Sequence, residues 1–478
     1  MSIAQHTPRL LPLMLAIALS ACGGGGGGAS IGGTGVSQAS ASGTVQGFGS
    51  VLVNGCRWST LGASVHDDLG RTLSASDLSL GMQVQIDGSS DAAGADCSAT
   101  DIEVTREYAG SVSAVTGSTF TVLSHVFTAD ATTVFKGFSG ATLASMAVGD
   151  AVEVYGLKKA DGSILASLVE KKANTSALSA GLEARGVVSN LDTTNKTFKI
   201  DALTVNYTGV SSVPAALANG IVVKATGTGM TGNTLNATAL YTRTRTQSYA
   251  NGKVEIKGYV QDDAADSNAN TFTVNGVVVD VSQASFKGLT GMSVGAFVEV
   301  NGQLSGGVLM ASQVETEQER SRVKGGSYEF YGVASDGQLA AGVLSFTLQG
   351  QTVRYSTASD VCGIAVSGAT PYVEVKGSLS NGVITASKLE CPSAQSSTTS
   401  SGNYSGNRFE TSGAVQSLDT AAMTFKLGGL NVKYQNAQFE KGNSTQLANG
   451  KRLEVKGKMD ANQQFMLADK IEFDDDRK

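Results

Sequence analysis

Histidines are the first side chains to consider for chemistry, because the ordinary pKa of imidazole lies close to neutral pH. The chain contains three of them, His6, His66 and His125. His66 precedes Asp67, and a carboxylate beside a histidine can orient the ring for catalysis or metal binding. We expect His66 to be a solvated loop residue and His125 to lie in a strand. We therefore assign no catalytic residue and no metal ligand.

Cysteines offer a second kind of chemistry, and the chain contains five. Cys22 belongs to the N-terminal segment, which leaves four for the rest of the chain. An even number of cysteines in an exported protein indicates disulfides. The four allow three pairings, and closeness in sequence and in the repeat frame favours Cys56 with Cys97 and Cys362 with Cys391.

Acidic residues recur at the centre of the motif Val-Glu-Val-x-Gly or its variant with leucine first, as Glu153, Glu299, Glu374 and Glu454. Side chains alternate along a strand, so we expect the flanking apolar residues to face the core and the glutamates to face solvent. Contact with a cation or a partner is the alternative function. Protection of an exposed strand face is the favoured one.

These motifs belong to a unit that recurs six times. Each unit opens with a glycine and an apolar residue. An alternating strand follows, usually centred on phenylalanine, then the Val-Glu-Val-x-Gly frame, and finally Ala-x-x-apolar-Glu or a close variant. Alternation of β-branched and aromatic residues is typical of strands. The sequence predicts an all-β tandem array of about six domains, spanning residues 42–104, 105–171, 182–242, 253–316, 327–391 and 408–473.

The order of these signals resembles a small OB-like β-barrel, in which the fixed glycines would allow strand bends or bulges. The whole pattern also resembles bacterial lipoproteins built from tandem copies of a domain-of-unknown-function family, the one numbered 5666. The resemblance covers residues about 42 to 473 and implies no catalytic residue. A continuous β-solenoid is the alternative architecture, which is disfavoured because solenoid repeats are usually about 20–45 residues long.

The N-terminus has the features of an export signal. Arg9 precedes a mostly apolar stretch, residues 10–21, which is too short to span a bilayer as a stable helix. The stretch ends in Leu-Ser-Ala followed by Cys22, which resembles the lipobox of bacterial lipoproteins. The resemblance implies that residues 1–21 are a lipoprotein signal peptide and that Cys22 is lipidated. An ordinary secretory signal is the alternative.

Residues 22–41 would then form a lipidated, glycine-rich tether. The residue after the cysteine is Gly23, which by resemblance to enterobacterial lipoproteins favours the outer membrane. Residues 392–407 are rich in serine, threonine and glycine and are predicted to be the most flexible linker between repeats. With charged surfaces and short linkers, six small domains in a row would have a radius of gyration of about 50 Å by domain scaling.

The composition argues against nucleic-acid binding. The chain has 35 basic and 41 acidic residues, so it lacks the basic footprint of a nucleic-acid-binding protein. We predict a membrane-anchored, non-enzymatic lipoprotein of the cell envelope, facing the periplasm or the cell surface. It would act as a binding or spacer module for an envelope protein or glycan, with no cofactor. An adhesin-like ligand binder and a metal-dependent envelope enzyme are the alternatives.

Overall fold

Short strands joined by tight turns form nearly all of the regular structure in the computed structural model, and the all-β prediction is confirmed. Within the described part of the chain, the only helical elements are 3-10 turns such as Leu143–Ser145. No helix there is long and apolar enough to cross a membrane. The structure describes residues 37–48, 51–60, 63–90, 96–140, 142–242, 253–261, 270–288, 294–316, 328–348, 351–367, 371–391, 409–427, 430–459 and 465–473.

The first three repeats contain nineteen strands. They are β1 (Ser37–Thr44), β2 (Gly47–Phe48), β3 (Val51–Val53), β4 (Cys56–Ser59), β5 (Ser64–Asp67), β6 (Thr72–Leu73), β7 (Gln83–Ser90), β8 (Asp96–Thr105), β9 (Tyr108–Thr116), β10 (Thr119–Val122), β11 (His125–Thr128), β12 (Val134–Lys136), β13 (Ala151–Lys158), β14 (Ile164–Lys172), β15 (Leu182–Asp192), β16 (Thr197–Ile200), β17 (Leu203–Asn206), β18 (Val222–Thr231) and β19 (Thr234–Thr242).

The last three repeats continue the same pattern. Their strands are β20 (Lys253–Gln261), β21 (Thr271–Val274), β22 (Val277–Asp280), β23 (Ser285–Lys287), β24 (Phe297–Ser305), β25 (Val308–Thr316), β26 (Tyr328–Ala340), β27 (Val343–Leu348), β28 (Gln351–Ser356), β29 (Tyr372–Ser380), β30 (Val383–Glu390), β31 (Phe409–Asp419), β32 (Thr424–Leu427), β33 (Leu430–Lys433), β34 (Gln438–Glu440), β35 (Arg452–Met459) and β36 (Met466–Phe473).

Repeat 2 shows how the strands of one repeat close into a ring. Strand β9 pairs with β10, β10 with β11, β11 in parallel with β14, β14 with β13, and β13 with β9. Repeats 3 to 6 pair their equivalent strands in the same order. The central phenylalanine of the second strand lies inside the ring, and Phe120, Phe198 and Phe425 are each 1% exposed.

The glycine of the Val-Glu-Val-x-Gly frame marks a β-bulge in every repeat. The register between the last two long strands shifts next to Gly88, Gly156, Gly227, Gly302, Gly377 and Gly457. A Cβ atom at Gly302 would lie 2.2 Å from the carbonyl oxygen of Met310, which is too close for any side chain. Only glycine therefore allows the backbones to approach at the bend.

Two disulfides link strands within repeats 1 and 5, as closeness in sequence predicts. Cys56 is bonded to Cys97 and Cys362 to Cys391. The first joins β4 to β8, which also pair in parallel at Trp58 and Cys97. Each bond closes a loop within its own repeat, so it reduces the conformational freedom of that part of the unfolded chain.

Strand pairing also crosses the boundaries between repeats. Strand β1 of repeat 1 pairs in parallel with β20 of repeat 4, β2 pairs in parallel with β26 of repeat 5, and β9 of repeat 2 pairs with β15 of repeat 3. Repeats 1, 4 and 5 thus share one 19-stranded sheet, and repeats 2 and 3 share another of 11 strands. The prediction of a row of separate domains is wrong in this respect, because the sheets continue from one repeat to the next.

Repeat 1 has neighbours throughout the chain. Besides its strand pairing with repeats 4 and 5, the Gln83 side chain donates to Oγ of Ser167 in repeat 2 at 2.9 Å. Lys224 of repeat 3 and Glu454 of repeat 6 bond to Asp68 and Thr60 of repeat 1. The described residues accordingly belong to one compact unit. The periodicity of the sequence predicts the order of strands within each repeat, but it does not indicate which repeats are in contact.

Candidate functional site

Buried and partly buried charged side chains gather where repeats 1, 2 and 3 meet. We call this cluster the charged junction; it consists of Asp67, Asp68, Arg71, Arg106, Glu107, Glu153, Lys172, Glu183, Arg185 and Lys224. At its centre, Nη1 of Arg106 lies 2.9 Å from Oε2 of Glu183 in repeat 3. The Nε atom of Arg106 lies 3.4 Å from Oε2 of Glu153 in repeat 2. One guanidinium therefore joins carboxylates from two repeats.

Repeat 1 contributes the turn between β5 and β6 to the charged junction. Asp67 accepts hydrogen bonds from the backbone N of Arg71 at 2.9 Å and from its Nε at 2.7 Å. This fixes the arginine so that its Nη2 lies 3.5 Å from Oε1 of Glu183. The neighbouring Asp68 accepts from Nζ of Lys224 at 2.6 Å. Opposite charges thus hold repeat 1 against repeat 3.

A further ion pair joins repeats 2 and 3 at the point where β9 and β15 pair. Nη1 of Arg185 lies 3.0 Å from Oε1 and 3.1 Å from Oε2 of Glu107. The backbone N of Arg185 also donates to the carbonyl oxygen of Glu107 at 3.0 Å. Backbone and side-chain bonds between the same two residues fix the register of the two repeats.

Electrostatic interactions within the charged junction favour the ionised forms of Glu153 and Arg106. Burial raises the pKa of Glu153, but the charge of Arg106 and hydrogen bonds from Ser179 outweigh burial, so the pKa lies below its ordinary value. Burial also disfavours the charged guanidinium of Arg106, yet Tyr155, Glu183 and Glu153 hold its pKa above the ordinary value. Ion pairs of this kind are held in place by one another, so the loss of one partner leaves a buried charge.

The prediction that the glutamates of the Val-Glu-Val-x-Gly frame face solvent is wrong. Glu153, Glu299 and Glu454 are 1%, 8% and 3% exposed, and Glu374 is partly buried. Side chains do alternate along these strands, but other parts of the chain cover the outer face. Glu454, for example, accepts a hydrogen bond from Oγ1 of Thr60 in repeat 1 at 2.6 Å.

Each of these glutamates lies directly opposite a second glutamate across the hairpin. The pairs are Glu153 with Glu170, Glu299 with Glu315, Glu374 with Glu390, and Glu454 with Glu472. Like charges opposite one another destabilise a sheet, so cations must offset them. The Nζ atom of Lys172 lies 3.3 Å from Glu153 and 3.2 Å from Glu170, and Lys441 lies 2.7 Å from Glu472.

The pairing explains why the sequence repeats both acidic positions. The last two long strands form a hairpin, so the glutamate after Ala-x-x-apolar falls opposite the central glutamate of the frame. In repeat 4 the Nζ of Lys257 lies 2.7 Å from Oε2 of Glu299, and Lys287 lies 3.6 Å from Glu315. The acidic motif is therefore paired with lysines of the same chain, a relation that the spacing of the glutamates alone did not indicate.

A known protein family matches several of these repeats. The family model described as Domain of unknown function (DUF5666) matches four regions of the chain, residues 109–170, 257–315, 337–390 and 412–472. The matches lie in tandem in repeats 2, 4, 5 and 6, and each covers the paired glutamates. This chain contains tandem DUF5666 domains. Repeats 1 and 3, which have Gln85 and Lys224 in place of the central glutamate, lie outside the matched regions.

Comparisons with individual proteins add little to the DUF5666 assignment. A solved structure described as "drosophila Unr CSD456" is similar to the chain at 12% sequence identity, covering 44% of this chain and 97% of that one, with a TM-score of 0.13. So low a TM-score carries no argument about the fold or the ligand. No curated protein matches the chain.

The sequence predicts that His66 lies in a loop, but the residue lies in strand β5 of repeat 1. Its partner is also different, because Nε2 lies 3.1 Å from Oδ2 of Asp101, whereas Asp67 bonds to Arg71. Asp101 pairs across the strands with Asp87, and burial, together with the charge of Asp101, raises the pKa of Asp87 to about 6. A hydrogen bond from Ser40 acts in the opposite direction.

His125 lies in strand β11 as predicted, and its side chain contacts repeat 3. Its Nδ1 lies 2.9 Å from Oδ2 of Asp201 in repeat 3, and the hydrogen bond lowers the pKa of that aspartate. The imidazole stacks on Tyr108 with ring centroids 4.9 Å apart. The ring is 6% exposed, so this histidine contributes to the contact between repeats 2 and 3.

Several remaining predictions meet the structure at single residues. Trp58 is 2% exposed and belongs to the core of repeat 1, as its position in an alternating strand predicts. Cys22, the signal peptide and the linker 392–407 lie outside the described residues. Among the described residues, no group of three or more His, Cys, Asp or Glu side chains is arranged to hold a metal ion.

Proposed function

We propose that this chain is a lipid-anchored protein of the bacterial cell envelope whose DUF5666 repeats form one rigid, non-enzymatic binding body. The observation that carries the binding body is that repeat 1 bonds to each of the other repeats. A spacer made of independent domains gains nothing from such contacts. A surface that must hold several repeats in fixed positions for a ligand or partner requires them.

The anchor in this proposal is Cys22. Leu-Ser-Ala before the cysteine and the glycine run after it support lipidation, followed by a flexible tether. Two disulfides support an oxidising compartment outside the cytoplasm. Several acyl chains on one residue hold a protein on a membrane far more firmly than one chain does. The proposed location is the outer membrane, with the repeats facing the periplasm or the cell surface.

The proposal also assigns an OB-like barrel to each repeat. The closed order of strands supports this assignment, since the third strand pairs in parallel with the fifth while the other neighbours are antiparallel. A five-stranded Greek-key barrel of this kind binds ligands on its face and in its loops. An adhesin-like binder of an envelope protein or glycan is the form of this function that the rigid assembly favours over a spacer.

Lipidation is tested by expressing the full chain and a Cys22→Ser variant in bacteria fed an alkyne-tagged fatty acid. We expect the wild type to carry the label and to fractionate with the outer membrane. The variant should be unlabelled and should not be processed at this site. An unlabelled wild type, with an unmodified Cys22 in mass spectrometry, would contradict the anchor.

Binding is tested separately by cross-linking the lipidated wild type in intact cells and identifying the partners recovered in stoichiometric amounts. A matched chain carrying Arg106→Met, which breaks the charged junction, serves as the control. A binding body should recover a partner that the control loses. Recovery of no stoichiometric partner by the wild type would support the spacer function instead.

A further inference from the structure

One end of repeat 2 contains a cavity of about 290 Å³, a size near the lower limit for small-molecule sites. Its lining includes the apolar residues Ala129, Phe135 and Leu143 and the polar residue Ser118. A turn of repeat 5 closes one side, where the backbone N of Asn381 donates to the carbonyl oxygen of Ala131 at 2.8 Å. The cavity is therefore built from two repeats that are far apart in sequence.

The cavity lies where other repeats place a tyrosine. The backbone N of Ala129 donates to the carbonyl oxygen of Ser118 at 2.8 Å, and the same framework bond joins Tyr207 to Lys196 and Tyr434 to Met423. Ala129 thus holds the position in repeat 2 that Tyr207 holds in repeat 3 and Tyr434 in repeat 6. Repeat 2 lacks the aromatic ring at this position.

In repeats 3 and 6 the tyrosine ring packs against aromatic neighbours. The ring centroids of Tyr207 and Phe198 lie 5.8 Å apart, and those of Tyr434 and Phe425 lie 5.6 Å apart. In repeat 6, Tyr434 also meets Phe439 at 6.2 Å in an edge-to-face arrangement. Such pairs add stability beyond the burial of the rings.

Repeat 2 keeps both of these aromatic neighbours, as Phe120 and Phe135. Phe135 pairs with Val169 in the same frame position as Phe439 with Ile471 of repeat 6. The side chain of Phe135 lines the cavity, with Ala129 at the place of the missing ring. The lining combines apolar residues such as Ala129 and Leu143 with polar ones such as Ser118, so it suits a ring that carries a polar group.

We propose that this cavity binds a small molecule carrying a phenol-sized aromatic ring, seated where Tyr434 seats its own ring in repeat 6. The ligand ring would contact Phe135 edge-to-face, as Tyr434 contacts Phe439. The polar lining residues Ser118, Asp130 and Asn381 suit a hydroxyl or other polar substituent on that ring. This inference rests on the proposed binding function and names the class of ligand for one of its surfaces.

The direct test uses p-cresol, which is the side chain of tyrosine as a free molecule. Titration into residues 36–478, followed by calorimetry and ligand-observed NMR, should show saturable binding at one site. Glucose at the same concentration should not compete. Saturable binding of glucose with none of p-cresol would overturn the aromatic assignment in favour of a sugar site.

Substitutions then locate the site. Ala129→Tyr should fill the cavity and weaken p-cresol binding at least tenfold, and Ala129→Val, which introduces the residue that repeat 4 has at Val281, should weaken it less. If Ala129→Tyr does not fold, the valine variant alone must still weaken binding. The matched change Tyr434→Ala should create a second site and raise the stoichiometry from one to two.

Two outcomes would contradict the inference. Binding that is unchanged in Ala129→Val and Ala129→Tyr would place the ligand elsewhere. Absence of p-cresol binding to the wild type would also contradict it, and binding to the Tyr434→Ala variant alone would show that a missing tyrosine makes a site in repeat 6 but not in repeat 2. Neither outcome touches lipidation of Cys22 or the assembly of the repeats, so a failure here is distinguishable from a failure of the proposed function.

Discussion

Repeats 2 and 6 have the same ring of strands, the same bulge glycine and the same facing glutamates, yet they use the shared frame differently. In repeat 2, Glu153 is held by Arg106 and Lys172 inside the charged junction. In repeat 6, the equivalent Glu454 accepts a bond from Thr60 of a different repeat. The frame determines how one repeat folds. Substitutions on its outer face determine what that repeat binds.

The same two repeats differ at one end of the ring. Tyr434 fills that end in repeat 6, whereas Ala129 leaves a cavity in repeat 2. The change leaves the framework hydrogen bond and the strand order intact. A single position can therefore change from a structural to a ligand-binding role without altering the fold.

The largest expected effect comes from breaking the charged junction. Arg106→Met removes a buried cation and leaves Glu183 and Glu153 with less compensation, so we expect a loss of about 3–5 kcal/mol in the free energy of unfolding. Denaturant unfolding followed by circular dichroism measures it. The control is Lys376→Met, whose ion pair with Glu374 is partly exposed and should contribute at most about 1 kcal/mol. Equal losses in the two variants would contradict a special role for the junction.

The disulfides distinguish repeats 1 and 5 from repeats 2 and 6, which have none among the described residues. The Cys56–Cys97 bond spans a sequence separation of 41 residues. Removing it by Cys56→Ser with Cys97→Ser should cost about 3–4 kcal/mol in the chain-entropy model. Non-reducing unfolding of the variant measures the loss. An unchanged midpoint would mean that the contacts with other repeats already constrain repeat 1.

A smaller effect is expected where repeat 6 meets repeat 1. Thr60→Val removes the hydrogen bond to the buried carboxylate of Glu454, which should cost about 1.5–3 kcal/mol. The matched change in repeat 2 is Ser179→Ala, which removes a similar bond to Glu153 but leaves Arg106 in place. We expect thermal unfolding to rank Thr60→Val as the more damaging. The reverse order would mean that Glu153 depends less on Arg106 than its geometry indicates.

The smallest effect is a dependence of stability on pH that arises in repeat 1. The pKa of Asp87 is raised by burial and by Asp101 to about 6, above its value of about 4 in an unfolded chain. The folded state therefore binds more protons than the unfolded state, and this contribution is present below pH 4 and lost as the pH rises through 6. Comparing unfolding of wild type and Asp87→Asn at pH 4.5 and 7 isolates it. A difference between the two proteins that does not change with pH would contradict the raised pKa.

The sequence predicted the interior of each repeat well, because that interior depends on local patterns. Alternation predicted the strands, the recurring glycine predicted the bulge at Gly302, and closeness in sequence predicted the bond between Cys362 and Cys391. Each of these features is decided by residues within one period. The strand pattern and the bulge glycine recur in every repeat, so a weak match in one repeat is supported by the matches in the others.

The contacts between repeats were not predictable in this way. Alternation placed Glu454 on the outer face of its strand correctly, but the sequence does not show that repeat 1 covers that face. The partners Arg106 and Glu183 lie in different repeats. Glu183 stands three residues before the opening glycine of its repeat, as glutamates do in four other repeats, but that spacing does not indicate its partner. The tyrosine that is replaced at Ala129 was visible as a difference between repeats. The cavity that results from this replacement is seen only in the structure, where Phe135 lines it.

The central claim is that the repeats form one body around repeat 1, and small-angle X-ray scattering on residues 36–478 tests it most directly. Compact-domain scaling gives a radius of gyration of about 22 Å for a chain of this length, whereas six domains in a straight row would give about 50 Å. We predict a value close to the compact limit, which Arg106→Met should increase. A wild-type value near 50 Å would contradict the account and restore the spacer.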